Sequence, residues 1–220
     1  MKYYQTDTTC AQYNLALEER IFNEYSGGED LFMLWRNKRA VIVGQNQIIE
    51  NEVDVPYAEA NGIQIVRRMT GGGAVYHDLG NVNYTYIGRK AEKFGNFLEF
   101  ALPMIEFLRS LDVVAKHIGN NDIGIEISST EVRKISGGAQ TIRGEYILHH
   151  GTLLFDTDLS VLERVLTPDP AKLSSKGIKS VRSRVCNVSE YVNMPRDEFW
   201  EKICSYFGTT GIETLWSTCD

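Results

Sequence analysis

Three consecutive glycines, Gly71, Gly72 and Gly73, separate the strand-like run IQIVRR (63–68) from a second one, AVYH (74–77). Each glycine loses more backbone freedom on ordering than any other residue and offers no side chain to pack. A regular helix or a central strand therefore cannot continue through them, and the chain must turn or bulge between two strands. No Gly-Lys-Ser/Thr follows, which excludes a P-loop. The glycines are contiguous and lead into a strand, which excludes a dinucleotide-binding fingerprint. Two readings stay open. The run is a plain tight turn, or its exposed N–H groups form an anion cradle aided by Arg67, Arg68 and Thr70.

The rest of the chain fits around this feature. Thr8 to Tyr25 reads as a helix, with Thr8 or Thr9 as its cap and Gly27-Gly28 as its stop. LFMLW (31–35) and AVIVG (40–44) suggest a hairpin across the charged turn Arg36 to Arg39. A short helix is expected around Tyr57 to Asn61. AVYH and NVNYTYI read as strands around HDLGN, and Phe97 to Leu111 as a helix interrupted in expectation by Pro103. VVAKHI, DIGIEI, EVRKIS and YILHHGTLLF follow as strands. Pro195 suits the first turn of a helix ending near Gly208. With strands concentrated in the middle, the expected class is α/β (α+β): mixed, largely antiparallel sheets with flanking helices. All 220 residues fit a single domain, with no Gly/Pro-rich linker to a second.

Composition narrows the partners. A net charge of −6 argues against general nucleic-acid binding. No window approaches about eighteen consecutive apolar residues, and the N-terminus lacks a signal-peptide pattern, so a cytoplasmic protein without membrane contact is expected. Cys10, Cys186, Cys204 and Cys219 lie far apart, unlike a zinc site or a disulfide framework. One segment departs from the acidic average. AKLSSKGIKSVRSRVCN (171–187) carries five basic and four serine side chains. It is either a solvated loop or one that closes over a polyphosphate.

Two further segments could carry chemistry. In EVRKISGGAQ (131–140), Lys134 precedes Ser136-Gly137-Gly138, small residues that would let a phosphate or carboxylate approach its ammonium group. In HHGTLLF (149–155), two adjacent strand histidines face opposite ways, so both cannot bind one metal.

The ordered set RRMTGGGAVYHDLGN, NDIGIEI, RKISGGAQ, HHGTLLF and KGIKSVRSRV resembles the lipoate–protein ligases, a family of the biotin/lipoate-ligase fold. LFMLWRNKRAVIVGQNQ is similar to the family's N-terminal hairpin. The resemblance runs from about residue 10 to the last helix and implies ATP-dependent, Mg²⁺-dependent activation of lipoate, or octanoate, to an acyl-adenylate. Transfer to a lysine of an acceptor would follow, the acceptors being lipoyl domains of 2-oxoacid dehydrogenases or the glycine-cleavage H protein. By the same resemblance Arg68, Gly73, Ala74, Val75 and Tyr76 hold the nucleotide, and Lys134 contacts both carboxylate and α-phosphate. His149 and Thr152 flank the acyl group, and Lys176 belongs to an adenylate-binding loop. Asn121 and Asp122 match an Asn-Asp pair, Asp122 being the candidate magnesium contact. Trp35, Val75, Tyr76 and Ile135 are expected to line an apolar acyl slot, with Arg68 and Gly73 also beside lipoate.

The sequence departs from the family pattern in two respects. No C-terminal accessory domain is evident, and Gly138 stands where many relatives carry serine. Rival readings are an octanoyl- or lipoyl-transferase of the same fold using a cysteine, for which Cys186 is placed nearest, and a non-catalytic lipoate-binding module. A biotin ligase fits less well, because its expected arginine-glycine pattern is missing.

Overall fold

The computed structural model describes residues 1–128, 131–167 and 185–208. Its strands are β1 (Lys2–Gln5), β2 (Leu31–Trp35), β3 (Ala40–Val43), β4 (Gln64–Arg67), β5 (Val75–His77), β6 (Asn81–Gly88), β7 (Ala115–Ile118), β8 (Asp122–Ser128), β9 (Glu131–Arg143) and β10 (Tyr146–Leu154). The helices are α1 (Ala11–Glu24), α2 (Val55–Ala60), α3 (Phe97–Arg109), α4 (Leu159–Val165) and α5 (Arg196–Gly208). One sheet has the order β1-β2-β6-β10-β9-β8-β7 and the other β4-β3-β5. Pairings are antiparallel except β1 with β2 and β3 with β4. This is the mixed, largely antiparallel arrangement the sequence suggested.

The expected hairpin of 31–35 with 40–44 does not form. β2 pairs with β1 and β6 in the large sheet, whereas β3 is the centre of the small one. The reason lies in the turn, which looked like a charged surface loop. Asn37 within it is fully buried. Asn14 of α1 donates to the Arg36 carbonyl at 3.1 Å and to Asn37 Oδ1 at 3.0 Å, pinning the chain as it crosses between sheets. A second crossing separates β5 from β6 at HDLGN. Gly80 is required there, because a Cβ would overlap the Asp156 backbone.

Burial explains the layers. Phe32 and Leu34 of β2 join α3 and α5 in the largest core, where Phe155 stacks on Phe199 with centroids 3.8 Å apart. Met33 and Trp35, on the opposite face of β2, pack with Leu15 of α1 and Ile42 of β3. A third cluster fills the space between the small sheet, α2 and α4. Helix α3 continues through Pro103, burying Phe100, Ala101, Met104, Ile105, Phe107 and Leu108. Helix α1 starts later than expected. Cys10 is its cap, and Thr8 Oγ1 instead accepts the Cys10 N–H at 3.2 Å.

Candidate functional site

A cavity of 280 Å³ opens between the two sheets. Strand register lays out its floor. Trp35 on β2 pairs with Asn83 on β6, and Asn83 with Thr152 on β10. Gly137 on β9 donates to Thr152 Oγ1 at 3.4 Å and pairs with Asp122 on β8. All five residues line the cavity. Neighbouring strands lie about 4.8 Å apart, so the three steps from Trp35 to Gly137 span roughly 14 Å. The facing wall holds Ile42, Gly72 to Val75 and His77, and α1 contributes Leu15.

Lys134 reaches this floor because of a β-bulge. Ile123 pairs with Ser136 but the next residue, Gly124, pairs with Lys134, leaving Ile135 as the extra residue. Ile135 is fully buried in the main core, and Ser136 Oγ lies 3.3 Å from Tyr84 Oη on that same side. With two successive residues turned inward, Lys134 swings to the cavity face, the re-aiming that bulges perform. Its Nζ lies against Gly137, where any Cβ would collide with it, and forms a 2.7 Å ion pair with Asp122. Ile135, expected in the acyl slot, therefore sits in the core. On the other face, a Cβ at Gly138 would lie 2.9 Å from the His149 ring. The two small residues thus make room for a lysine on one side and an imidazole on the other.

The glycine loop is held from behind. Arg68, 8% exposed, uses four of its five N–H donors within the fold. Nε donates to Thr70 Oγ1 at 3.0 Å and Nη1 to the Ile42 carbonyl at 2.9 Å. Nη2 donates to the carbonyls of Gly71 and Gly73, at 2.7 and 2.9 Å. Burial lowers its pKa to about 10, with Glu18 and Glu52 opposing the shift, so it remains a cation at neutral pH. Arg67 donates to the carbonyls of Gly44, Gln45 and Gln47. Both arginines, read from sequence as anion donors, instead hold backbone carbonyls. The Ala74 N–H of the loop donates to the Glu52 carboxylate at 2.9 Å. The loop thus already takes one anion.

Beneath the loop runs a buried polar chain with no sequence signature, since its members lie far apart. Trp35 Nε1 donates to Thr85 Oγ1 at 3.0 Å, and Thr85 donates to Glu18 at 2.5 Å. His150 Nδ1 lies 3.0 Å from both Glu18 oxygens, and its Nε2 is 2.7 Å from Thr70 Oγ1. The chain ties α1 and the large sheet to the glycine loop. His150 lines the cavity, and its neighbour His149 faces away. His149 stacks on Phe100 with centroids 5.1 Å apart, and burial, followed by the proximity of His150, lowers its pKa to about 3. The strand alternation expected for the two histidines holds. It is His150, however, that stands in the position suggested for His149.

Of the residues singled out from sequence, the structure brings Trp35, Arg68, Gly73, Ala74, Val75, Asp122, Lys134 and Thr152 around one cavity. Tyr76 is 1% exposed and points into the small-sheet core. Lys176 lies outside the described residues. The residues flanking its segment stand close to the site: Thr167 donates to the Glu52 carbonyl, and Val185 pairs with Lys134. Asn121 holds the glycine pair, its Nδ2 donating to the Gly138 carbonyl at 2.6 Å. Cys186 is fully buried, and burial followed by Glu190 pushes its thiol up to about 11. A larger, more open cleft of 950 Å³ passes Cys10, Arg39 and Arg196, but none of the sequence-selected site residues lines it.

With this geometry in place, comparison with known proteins is decisive. The profile described as "Lipoyl protein ligase A/B catalytic domain" matches residues 10–208. The chain belongs to that family. Lipoate–protein ligase 1 of Staphylococcus aureus is 41% identical over 212 residues, 94% of this chain and 62% of the relative. The chain spans between 54% and 62% of the length of such curated relatives. Among solved structures of this ligase family, a bipartite lipoate protein ligase of Thermoplasma acidophilum, described with its E2 lipoyl domain, superimposes with a TM-score of 0.81. It is 32% identical, over 100% of this chain and 87% of that one. A lipoate–protein ligase A bound with ATP gives a TM-score of 0.77 at 29% identity, over 99% and 90% of the two chains.

Proposed function

We propose that this chain is the catalytic part of a lipoate–protein ligase, activating lipoate with ATP and passing the acyl group to a lysine of a lipoyl domain. The observation that carries the reading is the in-register row from Trp35 to Asp122, with Lys134 at one end and apolar Leu15, Trp35, Ile42 and Val75 toward the other. A short fatty acid has the same polarity: a charged head on a hydrocarbon tail. Names of relatives add the chemistry, with ATP bound in one and a lipoyl domain paired with another.

In the first step a lipoate oxygen attacks the α-phosphorus of ATP, the bond to the bridging oxygen breaks, and pyrophosphate leaves. Anions must be brought together, so fixed positive charge and oriented N–H groups lower the barrier. Lys134 supplies the charge between carboxylate and α-phosphate. By resemblance, the Gly73–Val75 segment, held by Arg68, and Lys176 belong to the nucleotide-binding side. Magnesium, when bound, neutralises phosphate charge. Asp122, whose carboxylate lies in the cavity wall beside Lys134, would be the residue to contact the ion. In the second step the acceptor amine attacks the acyl carbonyl, AMP leaves, and one proton is lost.

Lipoate-dependent exchange of labelled pyrophosphate into ATP is the expected activity of the isolated chain. A folded sample that binds lipoate yet shows no exchange would overturn the reading. Cys186→Ala separates ligase from cysteine transferase. Exchange should survive it, because a core thiol held protonated is no nucleophile.

A further inference from the structure

One peptide group of the glycine loop is gripped at both ends. The Gly73 carbonyl accepts from Arg68 Nη2 at 2.9 Å. The Ala74 N–H, on the same peptide plane, donates to Glu52 Oε2 at 2.9 Å. No peptide bond among the described residues is cis, and in a trans peptide C=O and N–H point in opposite directions. A cation therefore holds the oxygen end of this plane and a carboxylate the nitrogen end, both in the sense of its dipole. Hydrogen bonds to charged groups are the strong kind. Glycine lets such a plane turn over cheaply, because its φ and ψ are the least restricted of any residue. Left to itself, Gly73 would keep several orientations open. The clamp selects one.

Glu52 is itself firmly held. It is 6% exposed and directly follows a short 3₁₀ turn, Ile49–Asn51, with its N–H donating to the Ile49 carbonyl at 3.0 Å. Its own carbonyl accepts the Thr167 N–H at 3.0 Å, and the next residue, Val53, is buried and bridges to Leu166. Gly73 makes room for the carboxylate, since a Cβ there would stand 3.1 Å from Oε2. Gly73 and Ala74 line the cavity and Glu52 does not, so the carboxylate stands behind the loop and not among the reactants. Burial lowers the Arg68 pKa, and the charges of Glu18 and Glu52 oppose that shift. The two ends of the clamp thus keep each other charged.

We infer that Glu52 is a positioning residue for adenylation, which fixes the Gly73–Ala74 peptide plane against Arg68 and so presets the loop that ATP meets. The inference rests on the adenylation and the nucleotide placement proposed above. Its effect falls on one substrate. Ala74 belongs to the nucleotide side, whereas Lys134 and the apolar lining at Leu15, Trp35 and Ile42 come from elements that Glu52 does not hold. A loop free to turn has to be ordered by the nucleotide itself, and that cost appears in KM for ATP.

The test measures KM for ATP and for lipoate in pyrophosphate exchange by three folded variants. Glu52→Ala removes the acceptor. Glu52→Asp keeps the charge but withdraws it by one methylene, about 1.5 Å. Glu52→Gln keeps an oxygen within reach without the charge. KM for ATP should rise about tenfold in Glu52→Ala and Glu52→Asp, and Glu52→Gln should recover most of that loss. KM for lipoate should stay at the wild-type value in all three. Equal rises for both substrates, or a sound Glu52→Asp beside a defective Glu52→Gln, overturns the inference while leaving adenylation intact. Absence of exchange by the wild-type chain overturns the adenylation reading, and the inference with it. If the variants do not fold, the Ala74 amide resonance of the wild-type protein decides. It should move on adding ATP with Mg²⁺ and stay in place with lipoate, and no movement with ATP, or equal movement with both, overturns the role of Glu52.

Discussion

At the residue scale, the function of Lys134 depends on one extra residue in its strand. Without the bulge at Ile135, the alternation of β9 would put Lys134 on the same face as Ser136, against the core. The bulge places its ammonium 2.7 Å from Asp122 on an open cavity instead, with the side chain 21% exposed. Lys134→Ala should therefore lower pyrophosphate exchange by about 10²- to 10³-fold, the usual cost of removing one preorganised charge-stabilising donor. The melting profile should remain cooperative, since no core packing is lost. Near-wild-type exchange in that variant would remove Lys134 from the reaction. The sequence made Lys134 conspicuous through the glycines beside it, yet gave no sign of the bulge, because a two-for-one register exists only between paired strands.

At the scale of elements, the glycine loop is one body with the strand behind it. A Cβ on Gly44, at the end of β3, would overlap the Gly72 carbonyl, whereas a Cβ on Gly71 meets nothing within 4 Å. Gly72 itself has φ +94°, a conformation other residues rarely adopt. Gly71→Ala should thus be nearly neutral. Gly44→Ala, outside the three-glycine run, should cost about 1–3 kcal/mol as an overpacked backbone contact and depress exchange by displacing the cavity wall. Denaturant midpoints and exchange rates of the two variants check this, and equal effects would mean that the loop is not braced by β3. Legibility was uneven at this scale. Helices α3 and α5 and the strands from β7 to β10 follow from hydrophobic patterning. The hairpin expected from β2 and β3 failed because sequence neighbours need not be sheet neighbours, and the deciding contact, Asn14 on Asn37, comes from a helix more than twenty residues away.

For the whole molecule, two buried imidazoles make stability depend on pH. His77 and His149 both have pKa values lowered to about 3, chiefly by burial. In the unfolded chain each would titrate near 6.5, so below that pH the unfolded state binds more protons and stability falls as pH falls. Above it, both states are neutral and the contribution is fully present. With both rings unprotonated in the fold, the slope from them approaches about 2.7 kcal/mol per pH unit well below pH 6.5. Unfolding free energies by denaturant at pH 7.5 and 5.5 should show this decline, before carboxylate titration dominates. A flat profile would mean that at least one ring takes up its proton in the folded protein. The buried Glu18–His150–Thr70 chain belongs to this scale too, because it joins α1, the large sheet and the glycine loop across the molecule.

The amino-acid sequence by itself determined most of the strands and helices, though not β1 or α4, that a glycine run must break between two strands, and which ordered motifs mark the family. These are local properties, carried by hydrophobic spacing, glycine conformational freedom and residue order. Tertiary structure alone decided that β2 and β3 part into different sheets and that Lys134 faces the cavity while Ile135 faces the core. It also decided that His150, not His149, borders the site, and that the arginines brace the loop rather than face outward. Each of those outcomes depends on contacts between residues far apart in the chain. A buried donor takes whatever acceptor the fold brings to it, and local sequence carries no record of that partner.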